Sequence, residues 1–219
     1  MFIEKVFSMK YNLVIFDLDG TLLDTSPGVL GSVRYAEKIL NLKPIAEEEL
    51  YEFVGPPPKN MYLKKYNLSY EDAMRATCAH RKYGMEKAIY EAEKYEGMEE
   101  VLRELKRSNI ILAVATLKKQ RIAETILENF GIKEYFDIIT GMNDEETLTK
   151  KITIEKAMRT TGVSSALMVG DSTYDYYGAT EARVDFVGVL YGFGFRKGIV
   201  YPFPTVNEPC ELLKLILDF

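Results

Sequence analysis

Residues 11–16 close on four apolar positions, Leu13, Val14, Ile15 and Phe16, followed at once by Asp17. An unbroken apolar run of that length, bounded by a carboxylate and a glycine, predicts a strand buried on both faces, as in a parallel sheet. From Ser26 the period changes. Val29, Leu30, Val33, Ala36, Ile39 and Leu40 recur at helical spacing, and Ser26-Pro27 offers a capping hydroxyl and a first-turn proline. After Gly97 the two patterns alternate. Helices are predicted at 98–107, 119–130, 150–161 and 174–182, and strands at 110–115, about 137–140, 166–169 and 186–190. An amphipathic helix at about 208–217 closes the chain. This alternation predicts an α/β fold, a Rossmann-like parallel sheet with helices on both faces.

Residues 44–96 have a different texture, rich in charge and tyrosine, helical in period and without a clear strand. Gly55-Pro56-Pro57-Pro58 breaks this stretch, and Tyr95-Glu96-Gly97 reads as a return linker. The predicted organisation is an α/β core from residues 1–23 and 96–219, with an inserted α-helical segment over 24–95. The tyrosines at 51, 62, 66, 70, 83, 90 and 95 are expected mostly to pack that segment.

Composition narrows the function. The chain has 219 residues, 47% hydrophobic and 28% charged, with a net charge of -5 and no long basic run. That balance disfavours a nucleic acid polymer as partner. No apolar run reaches the ~20 residues of a membrane helix, and the first residues lack the marks of a signal peptide. Cys78 and Cys210 are far apart and suit neither a zinc site nor a disulfide framework. They are expected to be small buried thiols in a cytoplasmic protein, monomer or homodimer. Met9 stands just before the first strand as a second candidate start, which leaves residues 1–8 as either non-native or a short edge strand.

Four polar features follow predicted strands, where an open parallel sheet gathers its ligands. Asp17-Leu18-Asp19-Gly20-Thr21-Leu22 places two carboxylates at i and i+2, one able to attack phosphorus and the other to handle protons, with Gly20 permitting a sharp turn. Thr116 ends the strand 110–115 with a hydroxyl suited to phosphate oxygens. Lys150 and Lys151 begin a helix, an unfavourable place for a cation unless an anion holds one of them. Gly170-Asp171-Ser172-Thr173-Tyr174-Asp175 adds two carboxylates. Oxygen ligands beside a phosphate substrate suit Mg²⁺. Singly, each feature is commonplace: a solvated turn, a strand-ending threonine, a surface lysine, a helix cap. Their order and shared placement make the case.

These residues carry a resemblance. Asp17-Leu18-Asp19-Gly20-Thr21-Leu22, Thr116, Lys150, and Gly170-Asp171 with Asp175 are similar to the four motifs of the haloacid dehalogenase-like (HAD-like) hydrolase superfamily, over essentially the whole chain. Phe53-Val54-Gly55-Pro56-Pro57, Tyr95-Glu96-Gly97, Ala115-Thr116-Leu117-Lys118 and Val189-Leu190-Tyr191-Gly192-Phe193-Gly194 resemble its phosphoglycolate phosphatase-like branch, which includes members described as 5′-nucleotidases. Asn60 and Met61 depart from that branch after the Gly-Pro-Pro, as do Leu117-Lys118-Lys119 and the missing histidine before Phe130. These departures bear on the substrate more than on the chemistry.

The resemblance implies a Mg²⁺-dependent phosphatase acting on a small phosphorylated metabolite, such as phosphoglycolate or a nucleoside monophosphate. It implies Asp17 as nucleophile and Asp19 as general acid and base. Thr116, Lys150, Gly20 and Thr21 would lie at the phosphoryl group. The metal would lie on Asp17, Asp19 through its backbone carbonyl, Asp171, and Asp175 directly or through water. Lys150 is preferred to Lys151 by its spacing to Ile154 and Gly162. Residues 24–95 would form a cap, with Gly55 to Met61 as a specificity loop and Arg34, Lys59 and Arg81 as candidate anion contacts. His80, the only histidine, is expected on a helix without a role. A halide-removing enzyme is disfavoured because Asp19 is present. A phosphomutase shares the constellation, and a binding or regulatory protein would share the fold; release of free phosphate separates both from a phosphatase.

Overall fold

The apolar run becomes strand β1 (Leu13–Phe16), every residue of it wholly buried. In this computed structural model, which describes residues 11–217, β1 leads to the two-residue strand β2 (Leu23–Asp24). Four helices follow: α1 (Ser26–Leu40), α2 (Glu47–Leu50), α3 (Pro58–Tyr66) and α4 (Tyr70–Glu86). Strand β3 (Glu93–Lys94) then returns antiparallel to β2. The predicted alternation comes next, as α5 (Met98–Arg107), β4 (Ile111–Lys119), α6 (Gln120–Asn129), β5 (Ile138–Met142), α7 (Lys150–Thr161), β6 (Ala166–Gly170), α8 (Thr173–Ala182) and β7 (Asp185–Val189). A short strand β8 (Thr205–Val206) and helix α9 (Glu211–Leu217) complete it. The edge strand considered for residues 1–8 lies outside the described residues.

The sheet runs β5-β4-β1-β6-β7-β8, and each neighbouring pair is parallel. β1 sits between β4 and β6, with Phe16 opposite both Val114 and Val169. The chain therefore leaves β1 toward both sides of the sheet, and the residues after β1, β4 and β6 meet at one edge, the usual ligand crevice of such sheets. The period of two along β1 divides its side chains. Val14 and Phe16 join Val101, Leu102, Leu105, Leu127 and Ile216 on one face, while Leu13 and Ile15 join Ile154, Ala157, Met168 and Ala179 on the other.

The helices between β2 and β3 build a third apolar cluster, from Val29 and Val33 of α1, Phe53, Tyr62 of α3, and Ala73 and Ala76 of α4. Its organising polar group is Glu37, 3% exposed. Glu37 accepts from Arg34 Nη1 at 2.8 Å, Tyr66 Oη at 2.6 Å and the Ile45 backbone N–H at 3.0 Å. One carboxylate thereby ties α1, the following turn and α3. Glu37→Ala strips Tyr66 and Ile45 of their acceptor, and about 3 kcal/mol of stability is expected to go with it. Urea denaturation would measure this; a change under about 0.5 kcal/mol would contradict the assignment.

Several local features differ from expectation. Ser26 does not cap α1. Thr25 precedes the helix, and Ser26 donates through its N–H and Oγ to Asp24 Oδ1, at 2.9 and 2.6 Å. Strand β4 extends to Lys119 instead of ending at Ala115. Ala115 lies opposite Thr140 and Lys119 opposite Met142, so four steps on β4 face two on β5, which is a bulge. Cys78 and Cys210, expected to be buried, are exposed. Of the tyrosines, Tyr62 and Tyr66 pack with Phe53, whereas Tyr51, Tyr70 and Tyr90 are exposed. No helix among the described residues is long and apolar enough to cross a membrane.

Candidate active site

Asp17 follows β1 directly, its backbone N–H held by Val169 O at 2.9 Å. Its carboxylate meets Lys150, the first residue of α7. Lys150 Nζ donates to Asp17 Oδ1 at 2.6 Å and to Ala115 O at 2.8 Å, and lies 2.7 Å from Asp175 Oδ1. A buried cation at a helix N-terminus opposes the helix dipole, and two carboxylates offset that cost. Lys151 points elsewhere, 3.8 Å from Glu155 near the surface.

Asp175 has a second duty. Its Oδ2 accepts from Ser172 N–H at 3.0 Å and Ser172 Oγ at 2.6 Å, closing a capping box at the start of α8. Asp171, after β6, is held by the glycine-rich loop behind it: Phe193 N–H and Gly194 N–H donate to Oδ2 at 2.7 and 3.2 Å. Gly192 must be glycine, because a Cβ there would run into Asp171 and the Gly20 carbonyl. Gly20 turns with φ +77°, and a Cβ on it would also strike Asp171.

Asp19 is held by a different set of partners. Thr25 Oγ1 donates to Asp19 Oδ1, and Lys118 Nζ lies 3.0 Å from the same oxygen. The bulge in β4 delivers both Lys118 and Thr116, whose Oγ1 accepts from Lys118 N–H at 3.1 Å. A small pocket is lined by Asp17, Asp19, Thr116, Lys150, Asp175, Gly55 and Tyr174 among others. Gly20 and Thr21 do not line it. Thr21 is wholly buried, its hydroxyl without a hydrogen-bond partner and its carbonyl accepting from Tyr191 Oη at 3.1 Å.

Crowding shifts the acids. Burial pushes the Asp17 carboxyl up to about 7; Lys150 opposes this, and Asp175 and Asp19 reinforce it. Burial, then Asp175 and Asp17, hold Asp171 well above the carboxylate range against the pull of the Phe193 and Gly194 N–H groups. Burial alone would lower Lys150, but Asp17 and Asp175 raise it, so it stays a cation. Asp17, Asp171 and Asp175 each present an oxygen within 4.8 Å of the others. Buried, mutually repelling carboxylates with oxygen donors only are the donor set a hard divalent cation fits. The Asp19 side chain lies outside this trio.

A larger cavity adjoins on the Asp19 side, between the helical segment and the end of β4. His80, expected to be idle, is buried and lines it, as does Arg81. The other two candidate anion contacts do not line it: Arg34 is held by Glu37, and Lys59 lies over the Tyr70 ring. Thr25 and His80 lie outside the motifs, and Lys118 and Tyr174 lie within motif stretches that imply no role for them.

Known proteins resemble this chain in sequence and fold. The chain is 31% identical over 201 residues to a 5′-nucleotidase of Pseudomonas aeruginosa, covering 90% of this chain and 91% of the relative. It is 33% identical to a phosphoglycolate phosphatase of Agrobacterium fabrum, covering 83% and 81% of the two chains. The crystal structure of a predicted phosphatase from Clostridium acetobutylicum superposes with a TM-score of 0.87 at 37% identity, over 95% of this chain and 99% of that one. Residues 14–189, from the centre of β1 to the end of β7, match the family model described as haloacid dehalogenase-like hydrolase. Sequence, fold and the convergence at the strand ends agree that this chain belongs to the haloacid dehalogenase-like hydrolase family.

Proposed function

We propose that the protein hydrolyses a small phosphate monoester through an aspartyl-phosphate on Asp17, with Mg²⁺ as cofactor. The observation that carries this is Lys150 Nζ bonded at 2.6 Å to a buried Asp17 carboxylate, in a small pocket that a second acid, Asp19, also lines. Two acids at one pocket, one held by Lys150 and the other by Thr25 and Lys118, allow one to act as nucleophile and the other as proton carrier. Similarity to proteins named 5′-nucleotidase and phosphoglycolate phosphatase supports the phosphomonoester class.

In the first step an Asp17 oxygen forms a bond to phosphorus as the bond from phosphorus to the leaving oxygen breaks, and the Asp19 carboxyl gives that oxygen its proton. In the second step the Asp19 carboxylate takes a proton from water, whose oxygen attacks the same phosphorus. The Asp17–phosphorus bond breaks, releasing inorganic phosphate and restoring Asp17. Thr25 and Lys118 hold Asp19 for both transfers. Lys150 orients Asp17 and, with the Thr116 hydroxyl, spreads charge on the moving phosphoryl group. Mg²⁺ held by Asp17, Asp171, Asp175 and the Asp19 carbonyl would offset the repulsion between carboxylates and phosphate.

Residues 24–95 act in this reading as a cap over the site, joined at the β2–β3 pair and reaching the small pocket through Gly55. The metal also makes a prediction without turnover. Mg²⁺ is expected to raise the melting temperature of the protein above pH 7, and Asp171→Asn to cut that rise by more than half. An equal rise in the variant would contradict the assigned ligands. The proposal itself is tested by free phosphate release from a panel of phosphorylated metabolites with Mg²⁺ or with chelator. Metal-dependent release is expected; isomerised product without free phosphate would indicate a phosphomutase.

A further inference from the structure

We propose that the cavity between α4 and the end of β4 receives an uncharged, largely apolar leaving group that accepts a hydrogen bond from His80, so that esters whose leaving group is itself an anion are disfavoured. This rests on the phosphatase reading above and names the substrate class of the same site. A nucleoside, as the leaving part of a nucleoside monophosphate, is uncharged, offers an aromatic face to apolar walls and carries acceptors for His80; glycolate and phosphate are anions.

The cavity shares Asp19, Gly55 and Leu117 with the small pocket at Asp17, so the leaving group of an ester whose phosphorus sits at Asp17 has this cavity beside it. Its walls include Val29, Phe53, Leu117, Ile122 and Met142. Apolar walls of this kind gain from covering apolar surface and offer nothing to a second phosphate or carboxylate.

The cations that reach the cavity are already engaged. Lys118 lies 3.0 Å from Asp19, and Arg81 is paired with Glu146. Lys119 lies 3.3 Å from Asp144 and 3.9 Å from Glu146. A second anion on the substrate would have to take one of these cations from its carboxylate, leaving that carboxylate unpaired.

His80 supplies the polar contact. Tyr62 is wholly buried, and its hydroxyl lies 3.2 Å from His80 Nδ1. The hydroxyl proton needs an acceptor, and Nδ1 serves only if it carries a lone pair. In that tautomer the ring proton sits on Nε2, which leaves His80, a lining residue of the cavity, one N–H to donate. Burial, then Lys118 and Arg81, push the ring down to about 3, so it is neutral at physiological pH. A neutral N–H selects a neutral acceptor, such as a base carbonyl, ring nitrogen or sugar hydroxyl, where an imidazolium would attract an anion.

The test compares kcat/KM of the Mg²⁺-loaded enzyme for adenosine monophosphate, phosphoglycolate and pyrophosphate. The nucleotide is expected to lead each of the others by about tenfold or more. His80→Phe should lower kcat/KM for the nucleotide by about tenfold, mostly through KM, and more than it lowers that for phosphoglycolate. Glu146→Gln, at the rim, should free Arg81 and raise the phosphoglycolate-to-nucleotide ratio by about tenfold. A wild-type preference for phosphoglycolate or pyrophosphate, or a ratio that Glu146→Gln does not move, overturns the inference while leaving the phosphatase standing. No Asp17-dependent turnover of any of the three, nor of any compound in the wider panel of phosphorylated metabolites, overturns both.

Discussion

Asp17→Asn is expected to lower turnover on the order of 10⁴-fold or more while leaving the protein folded. Asparagine keeps the shape of the side chain and removes the attacking oxygen anion. Lys150 retains Asp175 at 2.7 Å and the Ala115 carbonyl at 2.8 Å, so the cation is not stranded. The variant also carries a signature in stability. The Asp17 pKa in the folded protein is about 7 against an ordinary value of 3.8, so the folded state binds a proton that the unfolded state has lost between those limits. Ionising Asp17 therefore costs the wild type stability as pH rises from about 4 to 7, and the full cost persists above 7. The asparagine has no such cost. Without divalent metal, the melting temperature of the variant minus that of the wild type should rise from pH 5 to pH 8. A difference that falls over this range would contradict the crowded, buried state of Asp17.

Lys150→Met has the second largest expected effect, and it combines loss of catalysis with loss of stability. Asp17 and Asp175 would be left buried with no cation between them, which typically costs about 3–5 kcal/mol. Turnover should fall on the order of 10²–10³-fold as the phosphoryl group loses its charge partner. The stability loss should be larger at pH 8 than at pH 5, because at pH 5 Asp17 can take up a proton and shed its charge. Urea denaturation at the two pH values measures this. Lys151→Met is the matched control: its ion pair with Glu155 is loose and partly exposed, and it should change stability by less than about 0.5 kcal/mol. Equal effects of the two substitutions would refute the assignment of Lys150.

The parts of the molecule legible in the sequence are those governed by short-range periodicity. Helices α5 and α7 begin and end where their apolar spacing predicts, and the both-face burial of β1 follows from its unbroken apolar run. The carboxylates of the site were legible because chemistry at strand ends collects in one crevice. The bulge in β4 was not legible, since it arises from register against β5 and leaves no mark on hydropathy; yet it brings Thr116 and Lys118 together. The two-residue pairings β2–β3 and β7–β8 are too short to impose a period. His80 looked like an ordinary helix residue because its role depends on Tyr62 behind it and on Lys118 across the cavity. The exposure of Cys78 follows from the face of α4 that turns inward, which is set by Ala73, Ala76, Thr77 and His80.

The central claim is that phosphorus becomes bonded to Asp17. It is tested most directly by acid-quenching the Mg²⁺-loaded enzyme during turnover of a phosphate monoester, then mapping the trapped phosphoryl group by mass spectrometry. The account predicts one phosphoryl group on the peptide containing Asp17, absent in Asp17→Asn and accumulating in Asp19→Asn if phosphorylation outlasts the loss of the water-activating carboxylate. A phosphoryl group on any other side chain, or phosphate release undiminished in Asp17→Asn, would contradict it.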